Sequence, residues 1–126
     1  MMKKIHTNNA PTPAGHYSQA VSYQNLLFIS GQLPIDHVDG AKITGPIEEQ
    51  TKQVLKNLEA ILLAGGSRKE KVIKVTIYIN DIQLWSRVNA VYAAFFVSHK
   101  PARAMIPCGE LHHGFLIELE AVAAVE

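Results

Sequence analysis

Arg103 is the residue of this sequence best suited to receiving a small anion. It follows Pro101-Ala102 and is set among Ala102, Ala104, Met105 and Ile106. In such apolar surroundings an arginine is either paired within the fold or held open for a ligand, and the sequence leaves both readings standing. Its planar fork matches a carboxylate bidentately, so a small carboxylic acid is the natural guest. Glu118, in an alternating segment that reads as a neighbouring strand, is the matching proton-transfer candidate, against the plainer reading of a paired carboxylate. Tyr17 follows Pro11-Thr12-Pro13-Ala14-Gly15 and is either a hydroxyl donor or an edge aromatic. Cys108, Glu110, His112 and His113 could be drawn as a metal cluster, but their spacing fits no recognised ligand pattern, and a polar loop is the simpler reading. No segment forms a phosphate loop, a dinucleotide fingerprint or a serine-nucleophile elbow, and Gly65-Gly66 reads as a helix stop.

The elements that must position these residues belong to one domain, residues 1–126, since 126 residues with 48% hydrophobic and 18% charged content make an ordinary globular chain. Twelve lysines and arginines against eleven acids give a net charge of +1, which argues against an electrostatic polyanion binder or a membrane-surface protein. Cys108 is the single cysteine; it cannot close an internal disulfide and suits a reducing cytosol. No apolar run follows Lys3-Lys4, so no signal peptide is expected. No stretch approaches the ~20 apolar residues of a membrane helix. The expectation is a soluble, cytoplasmic protein.

Ser18–Tyr23 and Leu26–Ser30 read as a hairpin around Gln24-Asn25, followed by a turn-rich surface loop through Asp36–Gly40. A helix opens at Pro46, carries Glu48 and Glu49 in its first turn and stops at Gly65-Gly66. Ile47, Thr51, Val54, Leu55, Leu58, Ile61 and Leu62 form its apolar face, while Gln50, Lys52, Gln53, Lys56, Asn57 and Glu59 mostly fall elsewhere. Val72–Ile79 is a β-branched strand with Ile73, Val75, Ile77 and Ile79 expected on one face and Val72, Lys74, Thr76 and Tyr78 on the other. Asn80-Asp81 caps a second helix with the stripe Leu84, Val88, Val91, Tyr92 and Phe95, closed by Lys100-Pro101. Ala102–Ile106 and Phe115–Val125 are the last strands, with Glu118 and Glu120 opposite the row Ile117, Leu119, Ala121, Ala123. The order β-β-α-β-α-β-β predicts an α+β two-layer sandwich with both helices on one sheet face. The uncovered face calls for a partner, most simply another copy of the chain.

Several segments then fall into a recognisable sequence: Ala14-Gly15-His16-Tyr17-Ser18-Gln19-Ala20, Ile29-Ser30-Gly31-Gln32-Leu33-Pro34, Glu49-Gln50-Thr51 with Val54-Leu55-Lys56-Asn57-Leu58, Val75–Ile79, Val88–Tyr92, Pro101-Ala102-Arg103 and Ile117-Glu118-Leu119-Glu120-Ala121. Together they resemble the RidA/YjgF family of imine deaminases, formerly described as L-PSP endoribonucleases, over nearly the whole chain. The resemblance implies a chorismate-mutase-like α+β subunit assembled as a homotrimer with sites in the clefts between subunits. It implies that Arg103 grips a substrate carboxylate, that Glu118 positions or activates water, that Tyr17 lines the site, and that Ser30-Gly31-Gln32 presents backbone groups to the ligand. Two positions depart from the family pattern. His16 stands where proline is frequent, and Met105 stands where many deaminases carry cysteine; a methionine lines an apolar pocket but hydrogen-bonds poorly. Cys108, five residues beyond Arg103, does not inherit that cysteine's role.

The activity so implied is hydrolysis of a small 2-imino acid, formed from an enamine such as 2-aminoacrylate, to a 2-keto acid and ammonia, with no metal or organic cofactor. A trimer that only holds a keto acid or amino-acid derivative and regulates a partner is the alternative. RNA cleavage rests on the old family name alone and runs against the +1 charge and the lack of a basic patch with interleaved aromatics. Release of keto acid from fresh iminopyruvate separates these readings.

Overall fold

The computed structural model describes residues 1–125. Six strands and two helices run in the order β1 (Met2–Ile5), β2 (Ala20–Tyr23), β3 (Leu26–Gln32), α1 (Ile47–Ala64), β4 (Val72–Ile79), α2 (Trp85–Phe96), β5 (Ala102–Pro107) and β6 (Ile117–Ala124). They form a single sheet of order β1-β2-β3-β6-β4-β5. Only β4 and β5 pair in parallel, joined through α2, as a parallel pair needs a crossover. The two-layer α+β architecture and the β2–β3 hairpin are those expected from the sequence.

β1 was not expected. It pairs with β2 as an edge strand, and its Met2, Lys3 and Lys4 are all exposed. Only Ile5 at its end packs against the core, so the strand shows no alternation, and its lysines blunt further pairing.

Helix α1 stops as its sequence dictates. Gly66 takes φ +79°, Ser67 N–H reaches back to the Leu62 carbonyl at 2.8 Å and Gly66 N–H to Leu63 at 3.2 Å, a Schellman closure that places glycine in the left-handed position. The α1 and α2 apolar faces meet the buried rows Leu27/Ile29, Val75/Ile77/Ile79 and Ile117/Leu119/Ala121/Ala123 in one core. Phe96, outside the expected stripe of α2, is buried there with Val88 and Tyr92.

Two details of the expected patterning are corrected. Ile73 is 45% exposed and Val72 is buried, because β4 slips register against β6 between Val72 and Lys74; the extra residue of such a bulge reverses the alternation beyond it. Gln50, Gln53 and Asn57 are buried in α1 rather than solvated. Each is tolerated there because it is hydrogen-bonded. Asn57 Nδ2 donates to the Leu33 and Ile35 carbonyls at 3.1 and 3.0 Å and its Oδ1 accepts from Gln53 at 2.9 Å. Gln50 donates to the Gly45 carbonyl and accepts from Leu116 N–H at 2.9 Å.

The sheet face away from the helices carries Tyr78, Glu118, Glu120, Val122 and Phe28. Glu118 lies in register with Tyr78 and Val122 with Phe28, and Phe28 is 45% exposed.

Candidate active site

A bulge in β3 builds the first half of the site. Ile29 stands opposite Ala121 and Gln32 opposite Leu119, so Ser30 and Gly31 together oppose Glu120. The extra residue re-aims the backbone at the end of the strand. Gly31 lies so close to Glu118 that a Cβ there would run into its carboxylate; glycine is required by that approach rather than by its backbone angles. Ser30 is fixed twice, its N–H donating to the Gln19 carbonyl at 3.0 Å and its Oγ donating to the Ser18 carbonyl at 2.6 Å.

Gln19, buried beneath, ties down the chain that carries Tyr17. Its amide donates to the carbonyls of Thr7 and Pro11 at 3.0 Å each and accepts from Thr7 N–H at 2.8 Å. Above it, Pro11 to Tyr17 forms the rim of a cavity of about 510 Å³ that also takes in Ser30, Gly31, Leu33, Ile35, His112, His113 and Glu118. Leu33 and Ile35 are held in that wall by Asn57. This cavity brings Tyr17, Ser30, Gly31 and Glu118 together.

Glu118 is only partly solvated. Burial raises its pKa above the ordinary carboxylate value, the charge of His112 draws it back, and the neighbouring Glu120 raises it further. A carboxyl group so tuned can exchange protons nearer neutrality than a solvated one.

Arg103 is elsewhere. It stands in register with the fully buried Val75, so it points to the helix side of the sheet, whereas Glu118 is on the open side. β4 separates their strands, so the expected neighbouring placement of β5 and β6 is corrected. Arg103 lines a second cavity of about 480 Å³ with Asn89, Tyr92, Phe96, His99 and Lys100. Its guanidinium carbon sits 4.8 Å from the Tyr92 ring centre and 5.4 Å from that of Trp85, and Nη1 donates to Asn89 Oδ1 at 2.8 Å. No carboxylate among the described residues pairs with it. Tyr92 lies beneath with its hydroxyl buried and unpartnered among the described residues; burial holds its pKa up at about 12, with the Arg103 charge opposing.

Met105 is partly buried and packs against the core, and it lines neither cavity of the single chain. It shares the helix side with Arg103 because both are odd-numbered on β5. No group of three or more His, Cys, Asp or Glu among the described residues is arranged to hold a metal. Cys108 lies just beyond β5, its N–H on the Ile79 carbonyl at 2.8 Å and its thiol on the Gly109 carbonyl. Asn89, Trp85 and Tyr92 around Arg103, and His112 and His113 beside Glu118, were not singled out as one site by the sequence. The i, i+4 and i+7 spacing of Trp85, Asn89 and Tyr92 on one helix face was the available signal.

Comparison with known proteins decides the family. The Endoribonuclease L-PSP family model matches residues 7–125. The chain belongs to that family. It is 47% identical over 126 residues, the full length of both, to a RutC family protein of Pyrococcus horikoshii. Among solved structures, YyfA of Yersinia pestis, a conserved Rid family protein of unknown function, superposes with a TM-score of 0.96 at 42% identity, covering 99% of this chain and 100% of that one. The Escherichia coli YjgF gene product does so with a TM-score of 0.93 at 35% identity, covering 98% and 99%. The RidA/YjgF resemblance read from the motifs is therefore a family relationship, and the strand order described above is that fold. No helix among the described residues is long and apolar enough to cross a membrane.

Proposed function

We propose that this chain hydrolyses small 2-imino acids to 2-keto acids and ammonia, as a homotrimer in which Arg103 of one subunit completes the Glu118 cavity of the next. The observation that carries this reading is Arg103 itself. It is stacked on two rings, steadied by Asn89 and matched to no carboxylate among the described residues, which is the state of an anion receptor rather than of a structural ion pair. Glu118 and Gly31 face a separate cavity on the other side of the sheet, so a ligand touching both groups requires a second chain. The open face with Phe28 and Val122 is apolar enough to be covered by one.

In this arrangement Arg103 fixes the substrate carboxylate and so orients the imine carbon. The Glu118 carboxylate accepts a proton from water as its oxygen bonds to that carbon, and the C=N electron pair moves to nitrogen. Tyr17 and the Ser30-Gly31 backbone line the region where the tetrahedral centre forms. A protonated imine is electrophilic enough to need no further activation. The chemistry requires neither a metal nor an organic cofactor.

The test is keto-acid release from iminopyruvate generated in situ by an amino-acid oxidase. Acceleration over the spontaneous rate is expected. An unchanged rate overturns the deaminase reading, and tight keto-acid binding without acceleration would favour the ligand-holding trimer.

A further inference from the structure

We propose that His112 is the acid that protonates the departing nitrogen in this site, leaving Glu118 to act on water. This inference rests on the deaminase reading above. His112 and His113 lie in the short turn 112–114 between β5 and β6, and both line the cavity that contains Glu118, Tyr17 and Gly31. The turn is held in an unusual shape. His113 takes φ +57° and ψ 20° and Gly114 φ +71°, and a side-chain-bearing residue rarely adopts that region without a reason in its surroundings. The His113 ring sits edge-on to the buried Phe115 at 5.6 Å, and His112 lies 5.8 Å from His113. Neither imidazole has a hydrogen bond or ion pair among the described residues, so packing places them at the cavity wall while their nitrogens stay available.

The titratable groups of the cavity are Tyr17, Glu118, His112 and His113. Glu120 and Tyr78 adjoin Glu118 along the sheet, Cys108 adjoins Tyr78, and Glu110 is exposed on the same connecting loop. Of these, His112 is the cation felt by Glu118. An imidazole nitrogen can both donate and accept a proton, which suits it to giving and recovering one.

The proton balance closes. Water adds to the protonated imine, forming the C–O bond while Glu118 takes the water proton, which gives a neutral carbinolamine. Imidazolium His112 donates to its nitrogen. The C–N bond breaks, its pair leaving with ammonia; the C=O bond forms, and the hydroxyl proton returns to His112. Glu118 passes its proton to ammonia. The sum is one protonated imine and one water giving one keto acid and one ammonium.

His112 is exposed, so His112→Gln leaves the fold undisturbed. The test measures pH–rate profiles for the wild type, H112Q and H113Q on iminopyruvate. Expected is a wild-type profile falling on the alkaline side, with H112Q about 100-fold slower in kcat and lacking that limb. If the wild type is active and H112Q keeps its rate and profile, the acid is not His112 and the deaminase reading stands. A limb that disappears in H113Q but persists in H112Q overturns the assignment equally. A wild type with no activity overturns the deaminase reading and this inference with it.

Discussion

Arg103 and Glu118 stand on opposite faces of one sheet, with β4 between their strands. Alternation keeps them apart as long as the strands stay paired. The function proposed above therefore draws the two residues of a site from two chains.

Subunit mixing tests that directly. Arg103→Ala and Glu118→Gln trimers are each expected to be inactive. Exchanged one to one, they should regain about a quarter of the wild-type sites, because one in four interfaces then joins an intact Arg103 to an intact Glu118. No recovery, with exchange shown by mass spectrometry, would place both residues of a site in one chain.

Arg103→Lys separates a receptor from a structural pair. The ammonium keeps the charge and loses the planar fork, so kcat/KM is expected to fall roughly 10–100-fold, in line with a lost charged hydrogen bond. Melting temperature should change little, because no carboxylate among the described residues is left unpaired. A large drop in stability with activity retained would return Arg103 to a structural role.

Gly31→Ala inserts a methyl group where the Glu118 carboxylate lies. Either β3 shifts at its bulge or the carboxylate swings away. Overpacking of this kind costs about 1–3 kcal/mol. The expected result is a lower melting temperature with hydrolysis largely lost; a variant with the wild-type rate would show that Glu118 need not hold its place.

Cys108→Ser should leave hydrolysis nearly unchanged. Among the described residues the thiol bonds only to the adjacent Gly109 carbonyl, and it lines neither cavity. A collapse in the rate while assembly persists would give it a role that its position does not suggest.

What the sequence made legible was whatever repeats along one element. The α1 stop, the inward row Ile117/Leu119/Ala121/Ala123 and the outward Glu118 follow from period and punctuation alone. Ile73 was misplaced because a bulge breaks the period without leaving a glycine or proline to mark it. Gln50 and Asn57 looked solvated because their partners, the backbone at Leu116 and at Leu33 and Ile35, lie far away in the chain. Arg103 and Glu118 were assigned to neighbouring strands because nothing local tells that β6 enters the sheet between β3 and β4. Their motifs marked them as a site; the strand order places them on opposite faces of the sheet.

Glu118→Gln combines a kinetic and a thermodynamic forecast of opposite sign. Because burial raises the Glu118 pKa, the folded state binds that proton more tightly than the unfolded chain. The stabilising contribution is therefore fully present below the unfolded value, and it is lost as pH rises through the higher folded one. At neutral pH the charged Glu118 is thus a burden on the fold, and the uncharged amide removes it. E118Q should melt above the wild type at pH 7, with the difference shrinking as pH falls toward the ordinary carboxylate value of 4.5. The same variant should lose hydrolysis, and with it the acidic limb of the wild-type pH–rate profile, since an amide cannot take a proton from water. A group that weakens the folded chain while serving its chemistry is expected at a reaction centre. Paired melting curves and rates across pH decide the matter: an E118Q protein that is less stable at pH 7, or that still hydrolyses at the wild-type rate, would remove Glu118 from the role argued for it.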